Sequence, residues 1–128
     1  MKRYKFLNIL GTLNGYKQAV KTCHWNETES MNKHEQLDNL YDLLHNFQDA
    51  FAEDGIQIFG KINLTDIPNI NISFYSIDGL IDEINDYVLR LKKLVNKVSN
   101  NELFAGLNSL CDNLVHDMHI FMYRFRMN

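Results

Sequence analysis

His34-Glu35-Gln36-Leu37-Asp38-Asn39-Leu40-Tyr41-Asp42-Leu43-Leu44-His45-Asn46-Phe47-Gln48-Asp49-Ala50-Phe51-Ala52-Glu53 carries two stripes at once. Leu37, Leu40, Tyr41, Leu44, Phe47 and Phe51 recur at intervals of three and four, the period of an amphipathic helix with one buried face. His34, Asp38, Asp42, His45, Asp49 and Glu53 recur on the same period but fall within a separate arc of roughly 100°, because each residue turns the helix by about 100°. The ligand-type side chains therefore lie off the core face. Upstream, Asn26-Glu27-Thr28-Glu29-Ser30 offers capping oxygens and negative charge where a helix N-terminus wants them. Downstream, Gly55 is the expected stop.

Working outward, Phe6, Leu10, Leu13, Tyr16, Val20 and Cys23 mark one face of an earlier helix. Gly11 and Gly15 weaken it by roughly 1 kcal/mol each relative to alanine, so it needs tertiary support. Residues 55 to 75 hold Gly60, Pro68 and an Ile67-Pro68-Asn69-Ile70-Asn71-Ile72 run with no helical period, and read as a long connection with one short helix. Helicity resumes from about Ser76, with Ile77, Leu80, Ile81, Ile84, Tyr87, Val88, Leu91, Leu94, Val95 and Val98 on one side. Ser99-Asn100-Asn101-Glu102 has the pattern of a capping box opening a last helix. That helix is expected to bury Leu103, Leu107, Leu110, Leu114, Met118, Phe121 and Phe125. An extended chain covers about 3.3 Å per residue, so the middle connection is long enough to cross the whole bundle and leave the second and third helices parallel. The expected fold is all-α: a ferritin-like four-helix bundle with one long crossover between helices 2 and 3, and a single domain over residues 1–128.

The 128 residues amount to one domain, and 45% hydrophobic with 23% charged residues is an ordinary globular composition. Thirteen basic against sixteen acidic residues give a net charge of -3, which offers no long-range attraction to a phosphate backbone. Lys2, Arg3 and Lys5 make only a token basic arm, so weak or no DNA binding is expected. Cys23 and Cys111 lack the spacing of a zinc or redox pair and have no neighbouring base to activate a thiol, which disfavours nucleophilic catalysis. With no membrane span and no export signal in the pattern, a cytoplasmic protein is expected.

A solvated polar face explains most charged stripes, but this one has an additional property. Its members pair around a centre between residues 43 and 44: His34 with Glu53, Asp38 with Asp49, and Asp42 with His45. An antiparallel copy of the same helix across a twofold axis requires that pattern. Within one chain Asp38 and Asp49 are about 16 Å apart along the axis, too far to share an ion. If they form a metal site, a second chain completes it. Mixed imidazole and carboxylate ligands suit iron, whereas calcium prefers oxygen alone and structural zinc more often recruits cysteine. At the axis, His45 would face Asp42 of the other chain in a structural role.

These residues resemble the Dps family, the bacterial mini-ferritins. His24-Trp25 is similar to that family's His-Trp at the end of the first helix, His34 to Asp42 to its His-x-x-x-Asp-x-x-Tyr run, and Asp49-Ala50-Phe51-Ala52-Glu53 to its Asp-x-x-Ala-Glu ending. The linker from Trp25 to His34 is shorter than in typical members, and the family's Ala-Glu-Arg reads Ala52-Glu53-Asp54. The resemblance implies His24, His34 and Asp38 as metal ligands from one subunit, with Asp49 and Glu53 from its twofold neighbour. It implies a ferroxidase that binds iron (Fe2+/Fe3+) as a pair of ions, oxidises Fe(II) with hydrogen peroxide or oxygen, and stores the mineral in a homo-oligomeric cage, a dodecamer. Trp25 would stand beside the reaction as electron donor, and the source would be bacterial or a bacteriophage.

Two other readings compete. Asp112, His116, Asp117 and His119 on the last helix, with Asp82, Glu83 and Asp86 on the third, offer an intrabundle site, although the Glu-x-x-His motif of intrabundle di-iron proteins is missing. The other is a non-catalytic ferritin-like interaction or virion-associated protein, which would leave Fe(II) oxidation at its background rate.

Overall fold

The computed structural model describes residues 1–98 and 101–127. Among them the chain forms four long helices and no strand: α1 (Arg3–Asn26), α2 (Met31–Phe59), α3 (Ile77–Asn96) and α4 (Ala105–Phe125). Each turns a row of apolar residues inward, and Phe6, Leu13, Val20, Leu37, Leu40, Leu44, Phe51, Leu80, Ile84, Leu107 and Met118 are fully buried. The residues expected on the inner faces of the first and third helices are buried or half-buried there. No helix among the described residues is long and apolar enough to cross a membrane.

Helix α2 starts where expected, with the Ser30 hydroxyl accepting from the Lys33 backbone N–H. It does not stop at Gly55. The helix continues to Phe59 and ends at Gly60, the one residue described with positive φ, at 87°. Gly55 instead supplies room: a Cβ there would collide with the Phe6 ring, which lies fully buried between Phe51 and Phe59 at centroid distances of 5.8 and 5.1 Å. A glycine that looks like a stop in sequence is here a slot for an aromatic ring.

Contacts along the helices fix their directions. Phe6 meets Phe59 at one end while His24 meets His34 at the other, so α1 and α2 are antiparallel. Asp54 lies against Gly106 in the first turn of α4, and Asn32 donates to the carbonyls of Arg124 and Met127 near its far end, so α2 and α4 are antiparallel too. Lys92 pairs with Asp112, and Asn85 shares a surface groove with His119 and Met122, which makes α3 antiparallel to α4. Helices α2 and α3 therefore run in the same direction.

The link between them contains the short helix expected from sequence, a 3-10 turn at Leu64–Asp66. It lies along α1. Arg3 donates to the Lys61 carbonyl and pairs with Asp66 at 3.2 Å, Pro68 covers Gly11, and Ile70 and Ile72 cover Gly15. The two glycines that weaken α1 as an isolated helix are thus the places where the link comes closest, and that contact is the tertiary support the helix requires.

Ser99 and Asn100 of the expected capping box lie outside the described residues. Asn101 caps a 3-10 turn at Glu102–Phe104 by accepting from the Leu103 N–H, and α4 begins only after it. Leu103 is exposed, contrary to expectation, and Phe104 is buried in its stead. The tighter 3-10 winding shifts which side chain faces the core.

Candidate metal centre

The polar stripe of α2 divides between two environments. Asp42, Asp49 and Glu53 are exposed, whereas His34, Asp38 and His45 are half-covered by the neighbouring face of α1. That face presents Lys17, Lys21 and His24.

At the turn between the two helices, the His24 and His34 rings stack with centroids 4.0 Å apart. His24 Nδ1 lies 2.6 Å from the His34 carbonyl oxygen, and His34 Nδ1 lies 3.2 Å from the Glu27 carbonyl oxygen. A carbonyl only accepts, so each Nδ1 carries the proton and donates. In the neutral form of each ring this puts the lone pair on Nε2, the arrangement in which a histidine binds a metal. His24 Nε2 points toward Asp38, 4.0 Å from Oδ1.

That same Asp38 oxygen accepts from Lys21 Nζ at 2.8 Å. The hydrogen bond and charge of Lys21 hold the Asp38 carboxyl below its ordinary pKa, and His24 and His34 add to this when protonated. The Lys21 ammonium also lies over the Tyr41 ring, 4.9 Å from its centroid. A cation bound by His24, His34 and Asp38 must compete with one the chain already supplies.

One turn further on, Lys17 Nζ lies 3.1 Å from His45 Nδ1. An ammonium only donates, so His45 Nδ1 is the acceptor and its proton sits on Nε2, facing Asp49 Oδ2 at 3.7 Å. This tautomer is the reverse of that in His24 and His34, and it leaves His45 no lone pair for a metal. Burial pushes the Lys17 ammonium below its ordinary pKa, against the opposing pull of Asp49. His45 is thus engaged within its own chain.

Of the five ligand positions expected from sequence, the fold brings His24, His34 and Asp38 together and leaves Asp49 and Glu53 further along α2. Among the described residues, no group of three or more His, Cys, Asp or Glu side chains is arranged to hold a metal ion. Trp25 is 67% exposed at the end of α1.

No family model, curated protein or solved structure matches this chain.

Two members of the intrabundle alternative have other surroundings. Asp112 is taken by Lys92, while His119 lines an open groove with Tyr123 and Met127. Cys23 and Cys111 are free and buried, and burial raises both thiol pKa values, that of Cys111 to about 12. Neither is poised as a nucleophile.

Three residues at this face escaped the sequence reading: Lys17, Lys21 and Gln48. Gln48 is 9% exposed, and its amide donates to the Leu10 carbonyl at 3.0 Å and to Asn14 Oδ1 at 2.7 Å, which ties α2 to α1 beside the stripe. Lys17, Lys21 and His24 follow one another at helical spacing on α1, and that spacing was the available signal.

Proposed function

We propose that this chain is a Dps-like, ferritin-like protein that oxidises Fe(II) with hydrogen peroxide or oxygen at a site shared across a twofold dimer. His24, His34 and Asp38 bind from one chain, and Asp49 and Glu53 of the partner subunit complete the set. The observation that carries this reading is the stacked His24–His34 pair, with each Nδ1 bonded to a backbone carbonyl and His24 Nε2 facing Asp38 at 4.0 Å. These residues do not form an ion site within one chain, so the reading requires the partner's carboxylates.

Three further features support it. Parallel α2 and α3 joined by the long link along α1 support it, since a ferritin-like bundle calls for one long crossover. Asp49 and Glu53 are exposed on the helix that would meet its twofold copy, and three ligands from one chain leave coordination positions for the two from another. Fe(II) enters as substrate: the imidazoles and Asp38 orient it, and Lys21 leaves Asp38 as it arrives. Trp25, next to His24 in the chain and exposed, serves as the electron donor on this reading. Cage assembly and iron storage belong to the same reading.

The test is Fe(II) oxidation followed by absorbance after peroxide addition, together with native mass measurement. The wild type should oxidise about two Fe(II) per site pair with peroxide, well above background. Asp49→Ala should abolish the fast phase while leaving a folded helical oligomer, and His116→Ala should not. A strictly monomeric protein, or fast oxidation surviving Asp49→Ala, would overturn the proposal.

One observation favours a second reading. The Lys21 ammonium on Asp38 is what a non-catalytic ferritin-like interaction protein would keep, since it satisfies the carboxylate without metal. In that case Fe(II) oxidation stays at background and dimer formation persists.

A further inference from the structure

On the opposite side of α1 from the metal face, the N-terminal turns of α1 meet the C-terminal half of α3. A cavity of about 700 Å³ opens there between α1, α3 and the link. Buried Leu7 and Leu91, half-buried Leu94 and exposed Pro68 give it an apolar lining. Lys5 and Arg90, both exposed, also line it.

The charges on this lining do not cancel. Asp66 is the one carboxylate on the lining, and it is already held by Arg3 at 3.2 Å and by the Asn63 backbone N–H at 2.8 Å. Lys5 and Arg90 have no acidic partner among the described residues, and the Arg90 guanidinium rests over the Tyr87 ring, 5.8 Å from its centroid. A chain with net charge -3 thus keeps two cations outside any ion pair among the described residues beside an apolar trough.

The volume lies within the roughly 300–1,000 Å³ typical of ligand pockets, and clefts between bundle helices are a usual place for them. A purely apolar occupant would leave the two cations idle. A highly charged one, such as a nucleotide, would set polar groups against leucine. The chemistry that matches both halves is a hydrocarbon chain ending in an anion.

We propose that this cavity binds a medium-chain aliphatic carboxylate, its chain on Leu7, Leu91, Leu94 and Pro68 and its carboxylate between Lys5 and Arg90. The proposal uses a different face from the iron reading and does not depend on it.

The experiment uses the full chain and a dansyl-undecanoate probe, whose fluorescence rises in an apolar site, with decanoate and 1-decanol as competitors below their aggregation limits. Decanoate should displace the probe, and decanol at the same concentration should not. Arg90→Gln and Lys5→Gln should each weaken decanoate about tenfold, the scale of one charge-assisted contact. Lys33→Gln, at the far end of the bundle, should bind as the wild type does. Equal displacement by decanol, unchanged affinity in Arg90→Gln, or an equal loss in Lys33→Gln would each overturn the proposal. Circular dichroism confirms that these surface variants remain folded.

Discussion

Replacing Gly55 by alanine sets two elementary effects against each other, and the fold determines which wins. Alanine is better than glycine in a helix interior by about 1 kcal/mol, and Gly55 lies inside α2 with ordinary helical backbone. Propensity alone therefore predicts a more stable protein. The new Cβ, however, would overlap the Phe6 ring and come within 2.9 Å of Cδ1 even at the third-nearest atom. Phe6 has no exposed surface, and Phe51 and Phe59 close it in, so the ring has nowhere to retreat. Overpacking of this kind costs about 3 kcal/mol at the upper end of its range, which leaves a net loss of about 2 kcal/mol. With an unfolding entropy of about 2.1 cal/mol/K per residue, that lowers Tm by roughly 7 °C. Thermal and urea melts of the two proteins measure it. Adding Phe6→Leu should return part of the loss, because the two residues touch and their effects do not add. A Gly55→Ala variant that melts at or above the wild type would refute the buried-slot reading of this residue.

Lys21→Met should tighten Co(II) binding about fivefold by calorimetry, since it removes the ammonium from Asp38; unchanged affinity would show that Lys21 does not compete with a metal. The Asp38 carboxyl is held below its ordinary pKa, so its pairing stabilises the fold above the unfolded value of about 4 and loses that contribution as pH falls through the folded one. The stability gap between wild type and Asp38→Asn should accordingly be present at neutral pH and close below about pH 4; a gap that widens on acidification would contradict the sign. Cys23 and Cys111 should react with a disulfide reagent at pH 8 only on unfolding, because both thiols are buried with raised pKa values. Fast labelling of the native protein would show that the core opens.

What the sequence could reveal depended on whether the deciding contact was periodic. The buried rows of α1 and α3 follow from spacing alone, because a helix repeats its inward face every three to four residues. Gly55 and Gly60 are chemically identical, and only the tertiary partner, Phe6 in one case and a left-handed backbone in the other, separates a packing slot from a stop. Leu103 and Phe104 likewise exchange roles because a single 3-10 turn rotates the register. Spacing cannot show either effect.

The same limit divides the metal face. Reflecting α2 about the point between residues 43 and 44 pairs its six polar residues with a second copy. Reflecting α1 onto α2 about the turn near residue 30 brings Lys17 to His45, Lys21 to Asp38, His24 to His34 and Asn14 to Gln48, all of them contacts the fold makes. Both reflections are available in the sequence, and they make opposite demands on Asp38. One assigns it a metal shared with another chain, and the other assigns it the lysine of its own. The intramolecular partner is held at high effective concentration by a four-residue turn, so it governs the single chain. The twofold partner prevails only where association and a divalent cation together outweigh it. On the proposed reading, coupling would follow from this competition: whatever draws Lys21 off Asp38 would favour the metal, and metal binding would favour a dimer whose ligands complete the site.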